Sequence, residues 1–521
     1  MKILRPLIAW GMILSFYSVA PLGCGGGGTA LIITPAGPVQ VLKGESLQFS
    51  SNLSATTWSV DGGDANGTID ANGLYTPPAT FPASAEAVVR AKDSGQEATA
   101  QVLLKTGNQI AFSTGTRSQI NQTPISPEFA GVVFAFGSSN NFDVRQGSLK
   151  TATVWGILDN KGTPSDDSDD EVIGFYSQDL DFLGFSPERE LFRGVLTTGA
   201  TIPGDLALDQ ALNPYFIGVQ NNLTGADSFH VVFYRSADGG ATFPNPVPID
   251  PPAGVETQAF PDLVLGSSGV YHLVFSRLIA NDPDPDQSAL RYARSHDGGS
   301  TWDVKDLTPL SADPADFSSA LALSPDPNVL AVCWTRITDP SGTPALSINL
   351  TVSQDGGDNF SAPIGFDVSG TTGGGSPPLC DVSFGPDGKI YVTYSDGGDV
   401  GFARSDDKGA SFALNKTINP DPTNLETTIV RLAVDELGRI DVVWLVDKNS
   451  DLNPDSFAHG RSTDSGASFT TVPEIPLDLP ATQAAITTGL RHDASGRLFL
   501  EFFSDQNDPA GNLDLYMIRA E

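Results

Sequence analysis

The chain has 521 residues, and its 62 acidic residues against 29 Lys and Arg give a formal net charge of −33. So negative a chain argues against binding nucleic acid or an anionic membrane by charge. The 54 Gly, the 38 Pro and the 40% of apolar residues favour short strands joined by turns, with enough apolar material for a core.

The first 24 residues have the pattern of a secretion signal. Two basic residues precede an apolar run from Pro6 to Ala20, which is too short to predict a membrane span. The run ends in Pro21-Leu22-Gly23-Cys24, which resembles a bacterial lipobox except for Pro21, where Leu is preferred. The resemblance implies diacylation of Cys24 and, with Gly25 next, anchoring at the outer membrane or cell surface. Ordinary cleavage that leaves a free Cys24 is the alternative. Residues 25–29 are then a glycine-rich linker.

Residues 30–105 contain short apolar runs separated by turn residues, which predicts a β-sandwich. Trp58 and the phrase Gly73-Leu74-Tyr75-Thr76-Pro77 together resemble the bacterial immunoglobulin-like group 2 domain. The resemblance implies a spacer or an adhesive module, and we favour a spacer because no pattern here is typical of a binding site. The predicted strands are Ala30–Thr34, Val39–Leu42, Ser46–Phe49, Thr56–Val60, Ala87–Ala91 and Ala98–Leu104.

One phrase recurs in the rest of the chain: Ser-x-Asp-x-Gly-x-Thr/Ser/Asn-aromatic, which we call the box. Its copies lie 52–59 residues apart, and apolar runs flank each copy, so each is predicted to form a hairpin turn. Glycine supplies a positive φ, and the Asp carboxylate accepts hydrogen bonds from the turn's own N–H groups. A weaker copy begins at Ser177. The Ser, Asp, Gly and aromatic positions of the five full copies are Ser236, Asp238, Gly240, Phe243; Ser295, Asp297, Gly299, Trp302; Ser353, Asp355, Gly357, Phe360; Ser405, Asp407, Gly409, Phe412; and Ser462, Asp464, Gly466, Phe469.

The box resembles the Asp-box of the sialidase (BNR-repeat) superfamily, and the resemblance covers residues 106–521. It implies a β-propeller in which the boxes lie on the face opposite the active site. The six boxes and a last unit without a box favour seven blades over the six of sialidases. That last unit ends without a fourth strand, and the segment near Gln109–Ser113 is expected to supply it and close the ring.

The predicted loops between the second and third strands of several blades are long and acidic. Their oxygen atoms are suitable ligands for Ca²⁺, although no loop has the complete spacing of a known calcium loop, and a solvated acidic face is the favoured alternative. The candidate ligands are Asp166, Asp167, Asp169, Asp170, Asp282, Asp284 and Asp286.

The predicted inner strands place charged residues at one equivalent position around the central channel. Converging carboxylates there can bind a cation or act as acid and base. Because Ala320 interrupts the set, we favour a structural role in which each Asp binds backbone of the neighbouring blade. The aligned residues are Asp205, Asp262, Ala320, Asp381 and Arg431.

The resemblance implies three substrate-binding arginines, a Tyr nucleophile paired with Glu, and an Asp acid/base. The arginine motif Phe/Tyr-Arg-Ile-Pro is absent, and Phe192-Arg193-Gly194-Val195 is the nearest string. Tyr516 and Glu501 are the candidate nucleophile and partner, with Asp262 as the candidate acid/base, and ordinary strand positions are favoured for Tyr516 and Glu501. Arginines that directly precede boxes are expected on the turn side, away from a site: Arg235, Arg294, Arg404 and Arg461.

Other chemistry has little support in the sequence. The five histidines show no metal-ligand spacing, and no phosphate-binding loop is present. Cys333 and Cys380 can form a disulfide in an exported chain, but we favour two buried thiols.

The favoured interpretation is an exported, lipid-anchored, non-catalytic propeller that binds a glycan or a protein, with Ca²⁺ as an optional ligand and a monomer as the expected state. An exo-acting glycoside hydrolase with a diverged site is the alternative, and a structural envelope protein is a third reading. An arginine cluster on the loop side would favour the hydrolase, whereas an exposed aromatic platform would favour glycan binding.

Overall fold

The computed structural model confirms the prediction of an all-β chain. Its described residues form strands and turns, with one 3-10 turn at Gly63–Asn66. No helix in this part of the chain is long and apolar enough to cross a membrane. The description covers residues 30–110, 112–121, 142–145, 150–159, 171–179, 185–195, 201–221, 229–250, 256–266, 269–279, 287–338, 345–368, 379–396, 398–419, 429–446, 456–475, 485–504 and 514–521.

The N-terminal domain, residues 30–105, has two sheets that share one core. One sheet has the strand order β2-β9-β8-β5 and the other β3-β7-β6, and a short pair, β1-β4, lies beside them. Phe49 and Tyr75 of the smaller sheet pack with Val89 and Val102 of the larger, and all four side chains are fully buried. The strands are β1 (Ile33–Thr34), β2 (Val39–Leu42), β3 (Leu47–Gln48), β4 (Ser50–Ser51), β5 (Thr57–Val60), β6 (Thr68–Ile69), β7 (Leu74–Thr76), β8 (Glu86–Asp93) and β9 (Gln96–Lys105).

The remaining described residues form seven antiparallel sheets of four strands, which we number in chain order. The strands are β10 (Phe112–Gln119); sheet 1, β11 (Phe142–Arg145), β12 (Lys150–Asp159), β13 (Glu171–Asp179), β14 (Arg189–Val195); sheet 2, β15 (Thr201–Leu208), β16 (Pro214–Asn221), β17 (Phe229–Arg235), β18 (Val247–Pro248); sheet 3, β19 (Thr257–Leu265), β20 (Tyr271–Ile279), β21 (Gln287–Ser295), β22 (Asp303–Asp306); sheet 4, β23 (Ala315–Leu323), β24 (Leu330–Thr338), β25 (Ala345–Ser353), β26 (Ile364–Val368); sheet 5, β27 (Cys380–Phe384), β28 (Ile390–Asp396), β29 (Asp399–Ser405), β30 (Leu414–Thr417); sheet 6, β31 (Val430–Val434), β32 (Ile440–Val446), β33 (Ser456–Ser462), β34 (Thr470–Val472); and sheet 7, β35 (Ala485–His492), β36 (Leu498–Ser504), β37 (Asp514–Ala520) with β10.

The sheets form a closed ring. The first strand of each sheet contacts the first strand of the next, and β11 contacts both β15 and β35, so sheet 1 closes against sheet 7. As predicted, a segment from before the repeats completes the last sheet: β10 pairs with β37, with Phe112 opposite Ala520 and Gln119 opposite Tyr516. The turns between first and second strands and the boxes lie at one edge of the ring, the box face. The connections between second and third strands leave the opposite edge, the loop face.

All five full boxes form the same hydrogen-bonded turn between the third and fourth strands of a sheet. In the first, Ser236 Oγ accepts from Gly240 N (2.8 Å) and donates to Asp238 Oδ1 (2.7 Å). Asp238 then accepts from the Thr242 backbone N–H (2.8 Å) and hydroxyl (2.7 Å). The hydroxyl of Thr242 is the first cause that lowers the pKa of Asp238 to about 2. The carboxylate thus replaces backbone partners that a tight turn lacks.

Each box also packs against the preceding sheet. Gly240 has φ +91°, and a Cβ atom there would lie 2.7 Å from the Tyr176 ring of sheet 1. Phe243 meets the same ring edge-on, with 5.7 Å between centroids. Trp302 meets Phe233 in the same way, and Phe469 meets Phe402. A glycine is therefore required at position 240 for two reasons: the backbone φ is positive, and the neighbouring ring leaves no room for a side chain.

A disulfide joins sheets 4 and 5. Cys333 lies in β24 and Cys380 begins β27, and their Cα atoms are 6.5 Å apart. The expectation of two buried thiols is therefore wrong. The ring places the second strand of one sheet against the first strand of the next, and this contact brings the two cysteines together.

Two buried arginines on the box face of sheets 6 and 7 contact the N-terminal domain and the segment that follows it. Arg439 Nη1 donates to the backbone oxygen of Gly107 (2.7 Å), and Arg497 Nη2 donates to that of Ala83 (2.8 Å). Their exposed fractions are 3% and 0%, and Asp435 and Asp493 neutralise them at 2.6 and 2.7 Å. Because undocking would leave the buried guanidinium of Arg497 without its acceptor at Ala83, we infer that the two domains are firmly joined.

The substitution Gly240→Ala is expected to destabilise the chain more than Gly239→Ala. Both glycines have positive φ, but a Cβ at position 239 meets no atom within 4 Å. Gly239→Ala should therefore cost only the conformational term of about 1–2 kcal/mol, and Gly240→Ala about 1–3 kcal/mol more from overpacking against Tyr176. Urea unfolding of the two variants measures both losses. Equal losses would contradict the packing role of the second glycine.

Candidate functional site

The aligned inner-strand residues do line one level of the central channel, and they are buried. The exposed fractions are 0% for Asp205, 4% for Asp262, 9% for Asp381 and 4% for Arg431. Register shifts precede two of these positions, between Pro203 and Leu206 and between Ala259 and Asp262. Such bulges re-aim the side chains that follow them, so strand irregularity sets the direction of these carboxylates.

Each of these carboxylates binds backbone of the next sheet. Asp205 Oδ2 accepts from Leu263 N (2.7 Å), and Asp262 Oδ2 accepts from Leu321 N (2.7 Å). Asp381 Oδ2 accepts from Leu432 N (2.8 Å). These contacts are the structural role favoured from the sequence, in which each Asp joins neighbouring blades.

The channel carboxyls nevertheless have unusual protonation. Burial raises the pKa of Asp262 to about 7, against the opposing effects of the Leu321 hydrogen bond and the Arg491 charge. Burial and the charge of Asp262 raise the pKa of Asp205 well above its usual range. A carboxyl that keeps its proton near neutral pH can donate as well as accept a hydrogen bond. Because these carboxyls are buried, they hydrogen-bond to the backbone of the neighbouring sheets.

Tyr516 and Glu501 do not form a pair. Phe502 lies opposite Tyr516 in the register of β36 and β37, so Glu501 points to the other face of the sheet. Tyr516 is 2% exposed, stacks on Phe502 at 5.6 Å and donates to Asp514 Oδ2 at 3.2 Å. Glu501 is fully buried and accepts from Thr153 Oγ1 of sheet 1 (2.5 Å). The candidate nucleophile and its candidate partner therefore lie on opposite faces of the sheet, as ordinary strand residues, which is the alternative favoured from the sequence.

The arginines that precede boxes lie on the box face, as expected. Arg294 Nη1 donates to the backbone oxygen of Gly356 in the following box (2.7 Å), and Arg404 Nη1 donates to that of Ser465 (2.7 Å). Arg235 makes the corresponding bond to Gly298 at 3.3 Å. These side chains join successive boxes.

Arginines on the loop face are held by carboxylates. Arg277 pairs with Glu256 at 2.9 Å, and Arg336 pairs with Asp316 at 2.7 Å. Arg193, the arginine of the string nearest to the sialidase motif, pairs with Glu171 at 3.1 Å. Each of these arginines thus forms an ion pair with a carboxylate of its own sheet or, for Arg277, with Glu256 just before the first strand of that sheet. The most exposed large apolar side chains in the described ranges are not aromatic; they are Ile32, Leu74, Leu437 and Val472, at 38–56%.

The structure assembles one cluster that the sequence did not predict. Asp441 is fully buried, and its two oxygens accept from His459 Nε2 (2.6 Å) and His492 Nε2 (2.8 Å). Arg461 Nη1 lies 3.5 Å from Oδ2 of the same carboxylate. Burial raises the pKa of Asp441, but the hydrogen bonds from His459 and His492 outweigh it and leave the pKa well below its usual range. Asp441 lies opposite Arg461 in the hairpin of β32 and β33. This pairing is the one feature of the cluster that the sequence could have indicated.

The residues predicted to bind calcium and the cysteine predicted to be acylated fall outside the described ranges. Cys24 and the acidic loop residues Asp166, Asp167, Asp169, Asp170, Asp282, Asp284 and Asp286 lie outside the described residues. Among the residues that are described, no group of three or more His, Cys, Asp or Glu side chains could hold a metal ion.

Comparison with solved structures finds propeller enzymes at low similarity. A polysaccharide lyase, an ulvan lyase, has a TM-score of 0.47 at 9% identity, covering 76% of this chain and 94% of its own. The α-L-arabinanase of Penicillium chrysogenum has a TM-score of 0.41 at 14% identity, covering 63% and 91%. The Trypanosoma rangeli sialidase has a TM-score of 0.39 at 13% identity, covering 64% and 55%. No protein-family model and no curated protein matches this chain.

The substitution Asp262→Asn is expected to reduce the pH dependence of stability. With a folded pKa of about 7 and an unfolded value near 3.9, Asp262 contributes stability that is full below about pH 4. That contribution is lost as the pH rises from the unfolded to the folded pKa, so the free energy of unfolding should fall between about pH 4 and pH 7. Asn keeps an acceptor for Leu321 N–H but does not titrate, so the fall should be smaller in the variant.

The matched control for this measurement is Asp297→Asn in the second full box. The hydroxyl of Thr301 is the first cause that lowers the pKa of Asp297 to about 2, so this group titrates below the window. In urea unfolding across this pH range, the free energy of unfolding of Asp297→Asn should therefore change with pH as it does in the unsubstituted chain. If the free energy of unfolding of Asp262→Asn also changes with pH as in the unsubstituted chain, the channel carboxyl does not hold its proton.

Proposed function

We propose that this chain is an exported, lipid-anchored β-propeller that binds a glycan or a protein on its loop face and does not hydrolyse it. The observation that carries the proposal is the contact of the N-terminal domain with the box face, which Lys105 makes to Glu436 and Arg497 makes to Ala83. An anchor at Cys24 would enter the molecule through that domain. The loop face would then point away from the membrane, toward soluble or cell-surface ligands.

The candidate catalytic side chains support binding over hydrolysis. Tyr516 and Glu501 lie on opposite faces of sheet 7, and Asp262 is engaged by the backbone of sheet 4. The loop-face residues Arg277 and Arg336 are ion-paired, which leaves them less suited to clamp a substrate carboxylate. The proposal keeps Ca²⁺ as a ligand of the acidic loops, and the N-terminal domain as an immunoglobulin-like spacer.

The test combines a glycan array with a panel of chromogenic glycosides that includes a sialoside, each with and without calcium. The sample is the chain from residue 25, so that the acyl group is absent. We expect binding on the array and no turnover above a heat-killed control. Turnover that is lost in Asp262→Asn would contradict the proposal and favour the alternative, an exo-acting hydrolase of the sialidase type.

The face that binds is tested by blocking each face in turn with a large polyethylene glycol chain on a single introduced cysteine. Thr338→Cys places it at the loop-face end of β24, and Ala410→Cys places it in the box of sheet 5; both positions are exposed. Modification at position 338 should weaken binding of the array ligand about tenfold or more, which is at least 1.4 kcal/mol. Modification at position 410 should leave binding unchanged. The reverse pattern would place the site on the box face.

A further inference from the structure

In sheets 2, 3 and 5, the arginine that precedes the box contacts the box of the next sheet, and in sheet 6 this contact is missing. Arg235, Arg294 and Arg404 each donate to the backbone oxygen that follows the Asp of the next box. Arg461 occupies the same position before the box of sheet 6. Sheet 7 has no box, because its outer strand, β10, comes from the N-terminal side of the repeats. The backbone oxygen that would receive Arg461 therefore does not exist.

Arg461 is consequently buried without a hydrogen-bond partner. It is 5% exposed, and Nε, Nη1 and Nη2 all lack an acceptor within the described parts of the chain. The ion pair that Arg461 makes within the described residues is with Asp441, at 3.5 Å, whose two oxygens already accept from His459 and His492. Burial lowers the pKa of Arg461, and the charge of Asp441 offsets this only in part. A desolvated guanidinium with free donors favours binding an anion.

A cavity of about 370 Å³ lies beside Arg461. Its wall includes His459 and Arg461, the hydroxyl residues Ser468 and Thr470, and the linker residue Gln109. The volume is within the range of small-molecule pockets. The cavity lies between the last box and the segment that joins the two domains.

The cavity occupies the place that the next box takes in other sheets. His459 stands three residues before the box serine, where Phe233, Tyr292 and Phe402 stand in sheets 2, 3 and 5. Those rings receive the aromatic residue of the following box, and His459 instead receives Phe112 edge-on at 5.4 Å. Phe112 thus replaces the aromatic part of the missing box. The glycine turn and its backbone oxygen have no such replacement, and the cavity remains.

We propose that this cavity binds a small organic carboxylate, whose oxygens take the place of the missing box oxygen and accept from Arg461. Arg294 and Arg404 reach an oxygen at this position in sheets 3 and 5, so the side chain is long enough to do so. A single guanidinium beside the carboxylate of Asp441 suits a monoanion better than a doubly charged phosphate. This site lies on the box face and is independent of the loop-face ligand.

The test measures binding of glucuronate by calorimetry to the chain from residue 25, with glucose as the neutral counterpart and inorganic phosphate as the second anion. We expect glucuronate to bind and glucose and phosphate to bind at least about tenfold more weakly. Equal binding of glucose, preferential binding of phosphate or no binding of glucuronate would overturn the proposal.

Two variants locate the site. Val472→Trp fills the cavity from an exposed wall position without removing Arg461, and should weaken glucuronate binding about tenfold or more. Thr417→Trp, at an exposed position in the outer strand of sheet 5, should leave the affinity unchanged. Arg461→Lys keeps the charge but loses the bidentate geometry, and should also weaken binding. Unchanged affinity in Val472→Trp would place any bound carboxylate elsewhere.

Discussion

The packing of each box onto the preceding sheet is the contact on which the rest of the ring depends. The glycine two residues after the box Asp brings backbone against a side chain of the preceding sheet, which is an aromatic ring in four of the five boxes. The box aromatic packs beside that side chain. Channel carboxylates such as Asp205 and Asp262 add a second join between the same sheets. A propeller sheet is too small to be stable alone, so these repeated joins do the work of a continuous core. For this reason Asp205 and Asp262, which the sequence offered as candidate acid and base groups, instead hydrogen-bond to the backbone of the neighbouring sheet.

Among the joins whose residues the structure describes, the pattern lapses between sheets 6 and 7. Sheet 7 is assembled from both ends of the repeat region and carries no box. Other groups lie near the missing box: Phe112 packs on His459, and Arg497 joins the nearby turn to the N-terminal domain at Ala83. The same vacancy leaves Arg461 beside a cavity. The domain contact and the proposed carboxylate site thus share one structural cause.

The sequence predicted the features that are local and periodic. The boxes and the flanking strands follow from residue pattern alone, because hairpins form between neighbouring segments. The long-range pairing that closes sheet 7 was predicted because the last repeat lacks a fourth strand. The inner-strand alignment was also predicted, including the structural role of Asp262. Whether the candidates Tyr516 and Glu501 could pair depended on register, which decides the face on which a side chain lies, and the register places them on opposite faces.

The features that the sequence did not predict join segments far apart in the chain. The Asp441 cluster needs His492 from the next sheet, and the domain contact needs Arg497 beside Ala83. The disulfide likewise needed knowledge of how sheets 4 and 5 pack. Such contacts require the closed ring and the docked domain, and no local pattern encodes either.

The most direct test of this account is the distance distribution between the two domains. Spin labels at Glu45→Cys in the N-terminal domain and Ala467→Cys in the last box occupy exposed positions on either side of the interface. Double electron–electron resonance on the chain from residue 25 should give one narrow distribution, since the domain is docked on the box face. A broad distribution, typical of a flexible linker, would contradict the fixed orientation that leaves the loop face free.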